Sequence, residues 1–562
     1  MRVKDYALAP EYLRRFEVDV PERFNWGFDV IDRWGSESGT ERALVFVDEK
    51  GLSDTYTFGQ IAEKSSQLCN FFGNEGLAPG DPVLLMLPNT PMIWLSVVGL
   101  IKAGAVVVPC APTLTQKDLE YRISAAGIKG VITDASNVSK FDRVATGPGA
   151  PKFFGCVGMR HDAGNWLDMG EAFSESKKAP RTDTRSDDPA FCYFTSGTEG
   201  LPKMVIHTHA SYPVGHRQTA LWLGIEQGKM HWNISSPGWA KHAWSSVFAP
   251  WNVGAPTFSF GYDGGFNAAK HLRLISEFGI ETLCAAPTIW RMFILEDMSE
   301  FDLSSLKGAC SAGEPLNPEV MEKFRKATGL VIRDGYGQTE TVLVVGNFPG
   351  VKIKQGSMGV PGPLYDVDVV DEEGMVLPVG EEGYVGIKIN PKPFALFKEY
   401  AKDQKKTDAV FRNGWYYTGD RASKDSDGYF WFVGRADDVI KSSGYRIGPF
   451  EVESALIKHP SVVEAAVVPA PDQVRGAIVK AYVVLREGYE PSQALADELA
   501  SFVAKETGPY KHPRRIEFVK SLEPVKTISG KIRRKNLRLV EYGQAERAID
   551  GIEFSTKPLR GA

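Results

Sequence analysis

Cysteine is scarce in this chain, with six among 562 residues: Cys69, Cys110, Cys156, Cys192, Cys284 and Cys310. No Cys-x-x-Cys pair or Cys/His ligand spacing occurs, which excludes a zinc module or a disulfide framework and leaves free thiols in apolar surroundings. Basic charge is not in surplus either. The 65 Lys and Arg against 70 Asp and Glu leave a net charge of −5, so no nucleic-acid or membrane-surface partner is expected. One uncharged run, Pro82 to Ile101, reaches the length of a membrane span. Pro88-Asn89-Thr90-Pro91 divides it into strand, turn and buried helix, so no stable membrane insertion is expected. The opening residues Met1-Arg2-Val3-Lys4-Asp5 have neither an apolar signal core nor the look of a transit peptide, and a cytoplasmic location is the expectation. Tandem repeats and low-complexity tracts are absent, as is a Gly-x-x-x-x-Gly-Lys-Ser/Thr loop.

What is present is ordinary globular composition, 43% hydrophobic and 24% charged, over a length that needs more than one core. Buried strands at Val83–Leu87, Ala105–Pro109, Gly130–Thr133, Glu281–Ala286 and Leu330–Ile332 alternate with helical stretches such as Ile93–Lys102. That rhythm predicts an α/β fold with covered, mixed or parallel sheets. From about Gly356 to Tyr429 short strands and Gly/Pro/Asp turns suggest a β-rich subdomain. Beyond Gly434-Arg435-Ala436-Asp437-Asp438 the pattern is helix (449–458), strand (462–468), strand (478–485), helix (492–506) and strand (515–519). The expectation is therefore a large domain over 1–434 and a small α+β domain over 438–562.

Four segments carry chemistry. Thr195-Ser196-Gly197-Thr198-Glu199-Gly200-Leu201-Pro202-Lys203 follows a strand and offers hydroxyls, backbone N–H groups and a lysine, which suits a polyphosphate as well as it suits a plain surface turn. Asp334-Gly335-Tyr336-Gly337-Gln338-Thr339-Glu340 combines a ring that could stack on a purine with a carboxylate that could hold Mg²⁺. Tyr417-Thr418-Gly419-Asp420 reads as a tight turn followed by a carboxylate able to accept from ribose hydroxyls, or merely to cap. Thr527-Ile528-Ser529-Gly530-Lys531 places one lysine after a flexible Ser-Gly pair.

Taken in order with Gly434–Lys441 and Ser443-Gly444-Tyr445-Arg446-Ile447-Gly448-Pro449, these segments resemble the adenylate-forming superfamily of acyl- and aryl-CoA synthetases, luciferases and peptide-synthetase adenylation domains. Tyr193–Thr198, Leu201–Met204 and Gly444–Pro449 are most similar to the medium-chain acyl-CoA synthetase branch. The resemblance implies a carboxylic acid, ATP with Mg²⁺, and CoA as co-substrate, with no tightly bound cofactor, in a monomer or homodimer. Residues 195–203 would wrap the β- and γ-phosphates, with Thr195, Glu340 and Lys531 catalytic. Gly313-Glu314-Pro315 and Asp334–Thr339 would hold adenine and α-phosphate, and Glu340 the Mg²⁺. Asp420 and Arg435 would take the ribose, Arg446 a further nucleotide contact, and Lys531 the carboxylate and α-phosphate together. The small domain would swing about Asp437 and bring Ser443, Gly444 and Tyr445 to the acyl-adenylate, with Arg475, His512, Pro513 and Arg514 at CoA.

The chain departs from the family pattern in places. Glu199 stands where Thr or Ser is usual, and Pro524 is shifted by one position relative to the usual Pro-Lys-Thr. The acyl pocket, expected from Trp239, Ala240, Lys241, Trp244, Ala312 and Gly337, has glycine at 337 where acetate-specific relatives place a tryptophan. More than acetate should then fit. Lys241 is a solvated side chain, an obstruction that leaves room for short or branched acids, or a partner for a polar substituent on the acid. The leading expectation is an acyl-CoA synthetase for a short- to medium-chain or branched acid; an aryl-CoA ligase for benzoate or aminobenzoate is the main alternative, since Trp239, Trp244 and Gly337 could form a flat slot. Transfer to a carrier protein and non-catalytic binding are further readings.

Overall fold

The apolar runs assemble into sheets because strands buried on both faces must be covered. The computed structural model describes residues 10–144, 150–159, 165–195, 202–262, 265–442, 445–473, 475–526 and 531–557. Contacts divide the chain into two compact units: residues 1–316, 320–367 and 388–414 form one, and 317–319, 368–387 and 415–562 the other.

In the first unit, parallel strands Phe153–Val157, Gly130–Asp134, Pro82–Met86 and Val106–Pro109 lead to β1 (Pro189–Thr195), and β2 (Lys203–Thr208) pairs antiparallel with β1. A second sheet runs in parallel through Arg42–Val47, Thr257–Phe260, His231–Ile234 and Thr282–Ala285 to β3 (Gly308–Ala312) and β4 (Ile332–Gly337). A two-residue strand, β5 (Glu399–Tyr400), then pairs with β2, placing Tyr400 opposite Val205. Candidate residues sit at the carboxyl ends of β1, β3 and β4, where open α/β sheets bind ligands. The uncharged run resolves as the strand Pro82–Met86 and the helix Pro91–Lys102, with proline at the first helical turn. Among the described residues no helix is long and apolar enough to cross a membrane. That helix ends on Lys102, fully buried, whose ammonium meets Asp32 and donates to the Ala62 carbonyl (2.9 Å) and Ser66 Oγ (2.9 Å). All six cysteines are buried and unpaired.

In the second unit, β6 (Trp415–Lys424) pairs antiparallel with β7 (Phe430–Arg435). A separate sheet has the order Val462–Asp472, Gly476–Leu485, Arg515–Val519, Gly551–Ser555. Helices Pro449–Ile457 and Gln493–Thr507 supply Val452, Leu456, Leu499 and Val503 to its core. The fourth strand is not evident in the sequence pattern. It is tied in by Lys480, buried, whose ammonium meets Glu517 (2.7 Å), Glu541 (2.6 Å) and Glu553. Burial alone would lower the Lys480 pKa, but three carboxylates outweigh it and the net direction is up.

Two readings change. The stretch 356–430 is divided between units: 368–387 and β6 and β7 group with the C-terminal residues instead of the first unit. Asp420 does not follow a turn. It lies within β6, where Gly419 alone takes a left-handed conformation (φ 75°) and the register with β7 shifts nearby.

Candidate functional site

Thr195 ends β1 directly opposite Lys203, the first residue of β2, so the two sides of the Gly/Ser/Thr loop are held at ladder distance. The Lys203 ammonium lies over the Tyr400 ring, 4.8 Å from its centroid. The Tyr400 hydroxyl donates to Glu340 Oε1 (2.8 Å), and the Phe397 N–H donates to the Glu340 carbonyl (2.9 Å). His207, on the same face of β2 as Lys203, meets the Thr339 carbonyl (2.7 Å). The proposed phosphate loop and the proposed metal carboxylate are thereby joined through two residues that motif reading missed, His207 and Tyr400. Tyr365 was missed as well: it accepts the Val342 N–H (3.2 Å) and donates to the Ala395 carbonyl (2.8 Å), fixing the chain beyond Glu340. The alternation of Lys203, Val205 and His207 was the only available signal for His207; Tyr365 and Tyr400 had none.

On β4, Asp334 is buried and accepts N–H bonds from Gly335 (3.0 Å) and, more loosely, Leu316 (3.4 Å). Burial raises its pKa to about 7, against the opposing pull of those N–H groups and of Lys241. Its carbonyl accepts from Trp222 Nε1 (3.2 Å) and Asn347 Nδ2 (3.2 Å). The motif strand therefore begins at Ile332 and contains Asp334-Gly335-Tyr336-Gly337, which was expected to follow a strand. Its glycines answer to two indoles. A Cβ at Gly335 would stand 2.5 Å from Trp222, and one at Gly337 would stand 2.3 Å from Trp244 Cη2. Trp244 is buried and occupies the side on which Gly337 lacks a side chain. It belongs to a π-helical turn, Ala243–Phe248, that continues the short helix Ala240–His242. Lys241 is half-buried and donates to the Ala312 carbonyl at the end of β3 (3.1 Å), one residue before Gly313-Glu314-Pro315.

In the second unit, Asp420 and Arg435 are register partners, and the arginine Nε lies 3.3 Å from the buried Asp420 carboxylate. The Asp437 carbonyl accepts from Arg538, which also stands 4.0 Å from Asp438. Lys531 is exposed; its neighbour Ile532 bridges Lys526, and the Arg533 N–H donates to the Val525 carbonyl (2.7 Å). Next to it Arg534 forks onto Glu453 (3.0 and 2.6 Å). Of the residues assigned to CoA, His512, Arg475 and Arg514 act on one another electrostatically. Tyr445 stacks on Tyr510 (4.5 Å between centroids), and the pKa of buried His512 is lowered by burial, with the charges of Arg514 and Arg475 adding to it. Arg514 is lowered by burial and by Arg475. Clustered guanidinium groups are what phosphate recognition requires.

Residues 31–400 match the family described as AMP-binding enzyme, and residues 451–531 match its C-terminal domain. The chain belongs to the AMP-binding enzyme family. This enzyme is 44% identical over 539 residues to the mitochondrial acyl-coenzyme A synthetase ACSM3 of Mus musculus, covering 94% of this chain and 92% of that protein. It is 45% identical over 519 residues to 4-hydroxybutyrate–CoA ligase 1 of Metallosphaera sedula, covering 92% and 90%. Among solved structures it resembles a Brucella canis acyl-CoA synthetase (TM-score 0.72, 34% identity, 95% and 99% covered). It also resembles the anthranilate CoA ligase AuaEII with anthranoyl-AMP (TM-score 0.83, 29% identity, 93% and 98% covered). The fold is that of the adenylate-forming enzymes. Of the enzyme's expected site residues, Ser196, Gly197, Thr198, Glu199, Gly200, Leu201, Ser443 and Gly444 lie outside the described residues, as does the Arg446 side chain.

Proposed function

We propose that the enzyme is an AMP-forming acyl-CoA synthetase for short, linear or branched acids. A carboxylate oxygen attacks the α-phosphorus of ATP, pyrophosphate leaves, and an acyl-adenylate forms. The CoA thiol then attacks the acyl carbon, loses its proton, and AMP leaves. Mg²⁺ enters with ATP and offsets phosphate charge. Glu340 fits that ion, since one oxygen is held by Tyr400 and a second remains on the carboxylate, and a single carboxylate together with phosphates commonly suffices for Mg²⁺. Thr195 and Lys203 would face the polyphosphate, Asp420 and Arg435 the ribose, and Arg475, His512 and Arg514 the CoA. Lys531 would supply a positive charge where negative charge builds during adenylation.

The observation that carries the choice of acid is the Trp244 indole against Gly337, with Lys241 drawn onto the Ala312 carbonyl. The space that Gly337 leaves open is refilled from the wall helix. Both side chains would act against a long chain and would narrow a flat aryl slot. The relative named for 4-hydroxybutyrate supports an aliphatic acid. The test is CoA-dependent AMP formation across a panel of linear, branched, hydroxylated and aromatic acids. The highest kcat/KM should fall on a short aliphatic acid. If benzoate or 2-aminobenzoate exceeds every aliphatic acid, the enzyme is an aryl-CoA ligase.

A further inference from the structure

Besides the Phe397 N–H on its carbonyl (2.9 Å), the Glu340 segment is held by two side chains, one from β2 and one from β5. At its amino side, the Thr339 carbonyl can only accept, so His207 Nε2 carries the hydrogen across their 2.7 Å contact. His207 Nδ1 is then bare and accepts from Ser211 Oγ (3.1 Å), whose oxygen in turn accepts the Thr208 N–H (2.8 Å). Each member has one role open to it, so a single tautomer is fixed. Burial lowers the His207 pKa to about 3, and the imidazole stays neutral across the range in which enzymes work. At the carboxylate, Tyr400 donates to Oε1 (2.8 Å). Tyr400 is itself buried, paired with Val205 across the ladder, and held by its N–H on Thr407 Oγ1 (3.0 Å). The Lys203 ammonium rests on the face of the same ring.

Resting on the adenylation chemistry proposed above, we infer that His207 and Tyr400 are positioning residues for Glu340. His207 fixes the backbone that presents the carboxylate, and Tyr400 holds Oε1 so that Oε2 is offered to the divalent cation that accompanies ATP. Neither touches the reacting atoms. Ligating carboxylates that are themselves hydrogen-bonded pay less orientational entropy on binding, and removing such a partner lowers metal affinity or activity about 10–100-fold. Lys203 on the Tyr400 ring adds a link between this support and the end of the phosphate loop.

The test uses the full chain with Mn²⁺ as probe, in Tyr400→Phe, His207→Phe and His207→Gln variants. Mn²⁺ binding in the presence of ATP is followed by electron paramagnetic resonance. Acid-dependent pyrophosphate release and thioester formation from synthetic acyl-adenylate are measured separately. Tyr400→Phe keeps the ring and its packing, and should weaken Mn²⁺ binding and slow pyrophosphate release by ~10-fold or more, with thioester formation unchanged. His207→Phe should behave alike, and His207→Gln, which keeps an N–H donor, should recover part of the loss. Folded variants that bind Mn²⁺ as the wild type does would overturn the assignment, as would equal loss in both half-reactions. If the wild type releases no pyrophosphate with any acid, the adenylation reading fails instead, while the Mn²⁺ titration still reports on the two side chains.

Discussion

Trp244→Ala should move the enzyme toward longer acids. The indole is buried, and its Cη2 lies 2.3 Å from where a Gly337 Cβ would be. Truncation therefore removes packing, together with the indole N–H that acts on the buried Tyr212 hydroxyl. The cost to stability is about 3–5 kcal/mol, the usual range for a buried aromatic cut to alanine. Part of the vacated volume will collapse, and what remains should admit about two or three methylenes. At ~0.8 kcal/mol each, that is roughly 2 kcal/mol, or about thirtyfold in binding for an acid long enough to fill the space. The assay is kcat/KM over linear acids from about C3 to C8 for wild type and variant, with thermal unfolding to show that both are folded. The optimum should lengthen, and the shortest acids should lose affinity because they no longer touch a wall. A folded variant with an unchanged chain-length profile would refute the assignment of Trp244 to the pocket. The reverse change, Gly337→Ala, drives a Cβ against Trp244 at 2.3 Å and the Val342 carbonyl at 2.7 Å; backbone cannot yield as a side-chain tip does, so stability and activity should fall together.

Lys531→Ala should reduce acyl-adenylate formation ~10²–10³-fold, the scale for losing a preorganised charge contact, while thioester formation from supplied acyl-adenylate persists; equal loss in both steps would refute the division of labour. Asp334 predicts a pH signature. Its folded pKa, about 7, lies above its ordinary value of 3.8, so the stability it contributes is fully present below that ordinary value and is lost as pH rises toward 7. Asp334→Asn, ligand-free, should lack this descent, so the difference in urea midpoint between variant and wild type should grow in the variant's favour from about pH 4 to pH 7.5; parallel curves would show that the buried carboxyl does not titrate in that window.

The sequence by itself determined the α/β class, most core strands and helices, and the order of the chemical segments, because these rest on local periodicity and on residue types that few other chemistries need together. It placed the strand Arg515–Val519 with its observed ends and the helix Pro449–Ile457 to within a residue. It could not see that Asp420 lies inside a strand, since one glycine in a left-handed conformation reads as a turn when its ladder partners are unknown. The last strand of the C-terminal sheet was hidden for a related reason: Gly-Ile-Glu-Phe-Ser has little apolar pattern, and its Glu553 pairs with Lys480, distant in sequence. The site divides along the same line. Glu340 and Lys531 are legible as motif residues, whereas His207 on the Thr339 carbonyl and Tyr400 on the Glu340 carboxylate come together from β2 and β5, neighbours across nearly two hundred residues of chain. The space beside Gly337 was decided by tertiary structure too. Gly337 promises space when read alone, and Trp244, arriving from a helix almost a hundred residues earlier, takes that space, since close packing lets any neighbour of suitable shape fill what a missing side chain leaves.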